Sequence, residues 1–173
     1  EPALRETLFK ETDEALGAAQ AVDARLLSPN HFIDGAKAYL NAESDFERGR
    51  SLNRITGQLA SAIEAFTKAK EAAENASTSL ASPIQAREDA IAALAESFAV
   101  DLWNKAEELF SESARNLETG NAEAATERAK KAESLYRDAE LEGIKAQHLS
   151  HTRSLIAQAE QIEVPQYAPK TFA

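Results

Sequence analysis

Cysteine and methionine are both absent from the 173 residues. Without cysteine the chain has no disulfide framework, no thiolate nucleophile and no cysteine-ligated metal site. Without methionine, Glu1 is not expected to be the translation start; removal of a signal peptide, or excision from a longer chain, would account for it. Aromatic residues are only 6% of the chain, so a thick globular core is not expected. No apolar run approaches the ~20 residues that a membrane-spanning helix needs. Bases are outnumbered 19 to 29, giving a formal net charge of −10. Because phosphate binding rewards clustered Lys and Arg, nucleic acid and anionic membrane surfaces are excluded as expected partners. Strand-type alternation is missing as well, so no sheet is expected.

Alanine fills about a fifth of the chain. Alanine, Glu, Lys, Gln and Arg are the strongest helix formers, and apolar residues recur here at spacings of three and four. The predicted fold class is all-α: long helices in elongated antiparallel hairpins or a bundle, with a narrow, close-packed core. Five helices are expected. The first runs from residue 3 to about Leu27, where Pro29 disfavours helical geometry at the residue before it. The second starts on Ser28-Pro29, an N-cap and N1 pair, and stops at Gly49. The third spans Leu52 to Ser79, with Leu52, Ile55, Leu59, Phe66 and Ala69 facing inward. The fourth carries Ile84, Ile91, Leu94, Phe98, Leu102, Phe110 and Leu117 as one helix, ending at Gly120-Asn121. The fifth begins near Ala122 and meets no strong breaker before Val164-Pro165.

An internal repeat of roughly 70 residues underlies this order. With one gap allowed in the first segment, Leu27-Ser28-Pro29-Asn30-His31-Phe32 aligns with Phe98-Ala99-Val100-Asp101-Leu102-Trp103 and with Tyr167-Ala168-Pro169-Lys170-Thr171-Phe172. Tyr39 then pairs with Phe110, Phe46 with Leu117 and Gly49 with Gly120 at a constant offset of 71. After a one-residue slip, Leu59 pairs with Ala129, Ala62 with Ala132, Phe66 with Tyr136 and Ala69 with Ala139. Shared helical periodicity would match apolar with apolar, but would not place glycine on glycine. The organisation read from this is a helix of a preceding repeat over 1–27, repeat one over 28–97, repeat two over 98–166, and the start of a third repeat or a tail over 167–173. The chain is out of phase with its own repeat, as a piece of a longer array would be. Phe32, Tyr39, Phe66, Trp103, Phe110 and Tyr136 are expected as wedges between helices.

The segments YAPKTFA (167–173), LWNKAEELFSESARNLETGN (102–121) and AEAATERAKKAESLYRDAELEGIK (122–145) resemble the Ala/Glu-rich helical repeats of OmpA-like bacterial envelope proteins. That resemblance implies a periplasmic or cell-envelope location and brings no catalytic residues. A weaker similarity to tetratricopeptide arrays fails on period, which here is about twice the usual 34, and on the length of the second helix.

Catalytic motifs are not found. There is no Gly-rich phosphate loop or nucleophile elbow, and no Glu-x-x-His pair of the di-iron type. The carboxylates Asp13/Glu14, Glu43/Asp45/Glu47, Glu107/Glu108 and Glu140/Glu142 lie on helices rich in basic partners at i±4, as Glu127 and Lys131 do. His148 and His151 share a helix face and are the candidate metal ligands, with His31 the only other histidine. Arg128, Lys130 and Lys131, with Arg48, Arg50 and Arg54, gather near the helix turns of both repeats, either as a site for an acidic partner or as a solvated face. No cofactor is expected. The expected function is a non-enzymatic scaffold, spacer or protein-interaction segment of a bacterial envelope protein, contacting a protein partner or neighbouring domains of its own chain. The alternative is a small-ligand or metal-binding helical bundle with a pocket near His148.

Overall fold

The computed structural model describes residues 2–161. Eight helices account for nearly all of them: α1 (Pro2–Gln20), α2 (Ala24–Leu27), α3 (Pro29–Glu47), α4 (Leu52–Ser79), α5 (Ala81–Ala92), α6 (Ala95–Phe98), α7 (Val100–Glu118) and α8 (Ala122–Gln161). No strand occurs among the described residues, and no helix there is long and apolar enough to cross a membrane. The third predicted repeat start, at 167–173, lies outside the described residues.

Packing groups the eight helices into two four-helix units of the same design. In the first, α3 runs antiparallel to α4, and α1–α2 lies along both. In the second, α7 runs antiparallel to α8, and α5–α6 takes the place of α1–α2. Equivalent rings meet in equivalent ways. Phe32 of α3 lies 5.6 Å from Phe66 of α4 at 59°, and Trp103 of α7 lies 5.5 Å from Tyr136 of α8 at 57°. Phe66, Phe110 and Tyr136 are fully buried, while alanine supplies most of the remaining core. Small side chains let the helix axes come close, which is how a chain with so few aromatics still excludes water. Gly35 and Gly143 mark the closest approaches. A Cβ on Gly35 would lie 2.7 Å from the Phe66 ring, and one on Gly143 would lie 2.2 Å from the Ala93 carbonyl oxygen.

The hairpin turns are made by Gly49 (φ 63) and Gly120 (φ 77) in left-handed conformation, which only glycine adopts without a Cβ clash. Around them the Arg50 N–H bonds the Asp45 carbonyl at 2.9 Å, and the Asn121 N–H bonds the Asn116 carbonyl at 2.8 Å. These bonds satisfy carbonyls left free by the ending helix.

Two predicted helices are broken. The helix expected to end at Leu27 stops at Gln20, and the single helix expected from Ile84 to Leu117 is three helices, α5, α6 and α7. The cause is a left-handed residue in each unit, Asp23 (φ 53) and Leu94 (φ 57), again 71 positions apart. Each closes the preceding helix by a short bond, Asp23 to the Gln20 carbonyl and Leu94 to the Ile91 carbonyl, at 3.0 and 2.9 Å. Each then offers its own carbonyl to the helix that follows. The position of Leu52 is also corrected: it was expected inward and is 56% exposed.

The units are joined without a loop. Leu80 separates α4 from α5, yet its N–H bonds the Ala76 carbonyl at 2.8 Å and its carbonyl accepts from Ile84 at 3.0 Å. Leu80 itself departs from helical geometry (φ −108, ψ 19), and Pro83 has no N–H with which to continue the ladder, so the joint is a one-residue break between two helices. In the second unit α8 continues unbroken to Gln161, spanning about 60 Å at 1.5 Å per residue.

Candidate functional site: the interface between units and its free ends

The second unit stacks its hairpin turn against the end of the first. At the centre is Glu118, the last residue of α7. Its carboxylate accepts a bond from the buried Ser28 hydroxyl at 2.7 Å, and from the N–H groups of Asn30 (3.1 Å) and His31 (2.9 Å). These N–H groups open α3, where the helix dipole favours negative charge. Ser28, expected to cap α3 itself, instead donates to a carboxylate from the neighbouring unit. Apolar contact surrounds the latch. Leu27, Ala72 and Ala76 share one cleft of about 180 Å³ with Leu117 and Glu118, and Leu80 and Pro83 share another of about 200 Å³ with Leu117, Ala125 and Ala129.

Because the units repeat, each half of this interface recurs at an outer end of the described pair of units. The counterparts of Leu117 and Glu118 are Phe46 and Glu47, at the hairpin turn of the first unit. They line a cleft of about 310 Å³ with Leu4, Gly49, Arg50, Leu52 and Ile55. The counterparts of Leu27, Ser28 and Pro29 are Phe98, Ala99 and Val100, at the far end of the second unit. Leu27 is 5% exposed and Pro29 is buried, whereas Phe98 is 46% and Val100 48% exposed. Leu149 of α8, in sequence register with Ser79, is 58% exposed.

The most enclosed polar cluster lies inside the second unit. Arg87 of α5 donates twice to Glu107 of α7, at 2.6 and 3.1 Å, and its guanidinium sits 5.3 Å from the Trp103 ring centroid. The Tyr136 hydroxyl of α8 donates to the same carboxylate at 2.5 Å. Burial pushes the Tyr136 hydroxyl far above its ordinary value, and the bond to Glu107 adds to this. Burial opposes the charge on Arg87, but bonding to Glu107 outweighs it and the guanidinium is held more firmly protonated. Tyr136 and Arg87 are thus each fixed in one protonation state near neutral pH. That suits a structural clamp and not proton transfer, which needs a group titrating near working pH. The first unit has Leu16, Ala36 and Phe66 at the equivalent positions, so the clamp replaces an apolar contact.

A second cluster joins α1 to α3. Arg5 pairs with Glu43 and lies over the Phe9 ring, and the Tyr39 hydroxyl donates to Asp13 at 2.7 Å. Burial, then the Asp13 contact, pushes the Tyr39 hydroxyl up to about 12. An open cleft of about 570 Å³ between the units is lined by Gln20, Asp23, Arg25, Leu26, Phe32 and Arg87. Its Arg87 is already engaged by Glu107.

The remaining predicted residues are placed as follows. His148 and His151 are both exposed on α8, and among the described residues no three His, Cys, Asp or Glu side chains gather as a metal site. The shallow cleft nearest to His148 is lined by Asp89, Ala92, Ala93, Glu140, Ile144 and Gln147. Most of the predicted carboxylates are paired: Asp45 with Arg54 (2.5 Å), Glu140 with Arg137 (3.0 Å) and Glu142 with Lys145 (2.9 Å). Of the basic cluster, Arg128 pairs with Glu112 at 3.0 Å and Lys131 with Glu127 at 2.6 Å. Arg48 and Arg50 are exposed and make no ion pair among the described residues. Sequence reasoning missed Glu118 and Arg87. The signal for Glu118 was a glutamate two residues before a hairpin glycine, which Glu47 repeats before Gly49.

No protein-family model matches this chain, and no curated protein or solved structure matches it either.

Proposed function

We propose that this chain is a non-enzymatic helical repeat scaffold, a spacer or protein-interaction segment of a bacterial cell-envelope protein, working in the periplasm. The observation that carries the reading is the end-to-end join: two units of one design meet through the one-residue joint at Leu80 and through the Glu118 latch. A stack of this kind fixes distance. Its polar clusters hold helices together, and Tyr136, Arg87 and Glu107 are locked against each other. The envelope location rests on the resemblance of residues 102–145 and 167–173 to OmpA-like repeat regions. Partners in this reading are a protein or the neighbouring domains of the parent chain.

Small-angle scattering tests the spacer. A compact domain of 173 residues has a radius of gyration of about 16 Å. The stack is expected well above that value, and a measurement at it would refute the spacer. Fractionation of the source cell, with the chain recovered in the cytoplasm, would refute the location.

A further inference from the structure

The open cleft between the two units combines an apolar wall with separated charges of both signs. From this we infer that it binds a zwitterion with an apolar side chain, a free α-amino acid or a short peptide. The cleft holds about 570 Å³, within the range of small-ligand sites. Gln20, Asp23, Arg25, Leu26 and Phe32 line it from the first unit and Arg87 from the second. Leu26 and Phe32 are partly buried and supply the apolar wall. Asp23 and Arg25 are exposed, and neither side chain makes a hydrogen bond or ion pair among the described residues. Arg87 gives Nε and Nη2 to Glu107, which leaves Nη1 to a ligand.

With Glu107 counted, the two guanidinium groups are balanced by two carboxylates. A simple anion would be drawn to Arg25 and repelled by Asp23 and Glu107. A zwitterion answers both signs: its carboxylate accepts from Arg25 and Arg87, its ammonium donates to Asp23, and its side chain lies on Leu26 and Phe32. The fold does not require this polar set. The second unit builds the same reversal with Ile91, Leu94, Glu96, Ser97 and Trp103 in the places of Gln20, Asp23, Arg25, Leu26 and Phe32. Leu94 takes the left-handed conformation that Asp23 takes, so the backbone does not demand the carboxylate, and Glu96 reverses the sign of Arg25. The set is therefore particular to the cleft that Arg87 helps to close. The site does not depend on the spacer reading: a rod with an empty cleft would still be a spacer.

Amide NMR spectra of the chain, titrated with leucine and with leucyl-leucine, test the site. Saturable shifts in the millimolar range are expected over residues 20–32 and around Arg87. The tighter of the two probes tells whether the cleft takes the free amino acid or the peptide. N-acetyl-leucine lacks the ammonium, leucinamide lacks the carboxylate and glycine lacks the side chain; each is expected to bind about tenfold more weakly than leucine. Asp23→Asn and Arg25→Gln should each weaken leucine to a similar degree. Both sites are exposed, asparagine tolerates the left-handed region, and far-UV circular dichroism checks that the helices persist. Asp23→Asn should leave the affinity for N-acetyl-leucine unchanged, because that probe has no ammonium to lose. No saturable shift with either leucine or leucyl-leucine, shifts centred elsewhere on the chain, or a leucine affinity that survives both substitutions would each overturn the proposal.

Discussion

Two helical glycines should respond to alanine in opposite directions. Gly57 lies in α4 and a Cβ added there meets nothing within 4 Å. Alanine at that site lowers the entropy of the unfolded chain and favours the helix, so Gly57→Ala should stabilise by about 0.5–1 kcal/mol. Gly143 has the same intrinsic preference, but its surroundings reverse the result. An added Cβ would lie 2.2 Å from the Ala93 carbonyl oxygen, 3.1 Å from its carbon and 3.2 Å from its Cβ. The obstacle is backbone, and the same oxygen accepts a bond from Gln147 Nε2 at 2.7 Å. Relief requires α8 to move off the α5–α6 turn. Overpacking of this kind costs about 1–3 kcal/mol, which exceeds the helix-propensity gain or at best cancels it, so a net loss of up to about 2 kcal/mol is expected. In a chain of this length each kcal/mol moves the melting midpoint by about 2–4 °C. Urea and thermal melts followed by far-UV circular dichroism should therefore separate the two variants to either side of wild type. A Gly143→Ala chain more stable than wild type would refute the close approach of α8 to Ala93.

Three further outcomes follow from the packing. Glu118→Ala removes the acceptor for the Ser28 hydroxyl and two N–H groups and should cost about 1–2 kcal/mol in a urea titration, while Glu47→Ala, at the outer end, should cost little; equal losses would show that the latch adds nothing. Glu107→Ala strands Arg87 and Tyr136 and should cost about 2–3 kcal/mol, whereas the triple change Arg87→Leu, Glu107→Ala, Tyr136→Phe copies the first unit's residues and should recover most of the loss; a neutral single variant would refute the clamp. Bonding to Arg54, and then to Gln58, holds the Asp45 carboxyl below its ordinary value of 3.8, and Arg137 and Gln85 do the same for Asp89. Because the folded values are the lower ones, this stability is complete above the ordinary value and drains as pH falls through the folded ones. Asp45→Asn should flatten the acid side of the urea midpoint against pH, and an unchanged slope would show that Asp45 does not contribute.

Much of the fold could be read from the chain because it depends on local signals. The spacing of Ile55, Leu59, Ala62, Phe66 and Ala69 is a helical stripe, and all five are buried. Gly49 and Gly120 end helices because a left-handed residue is needed there. The repeat pairing of Phe66 with Tyr136 holds in three dimensions, Phe66 meeting Phe32 and Tyr136 meeting the equivalent Trp103. The two helix breaks were harder. Asp23 tolerates the left-handed region modestly well, but leucine does not favour it, so Leu94 carries no local signal and is held by its surroundings. Leu52 falls on the apolar stripe, yet it belongs to a first turn that overhangs the core. The latch between Ser28 and Glu118 spans 90 positions, and no periodicity links a helix end to a distant helix start. The same limit hid the Arg87 clamp, whose members come from three helices.

The joint at Leu80 makes the angle between the units a matter of counting. A helix ends on one side of Leu80 and another starts on the other, so each residue added to either flanking turn rotates the second unit by about 100° relative to the first. One inserted alanine would swing Glu118 to another side of the stack, away from Ser28. Seven would come back within about 20° of the starting angle, although the unit would then stand about 10 Å farther out. Length at this joint is therefore a phase, and single-residue insertions, harmless in most surface connections, should be excluded from it.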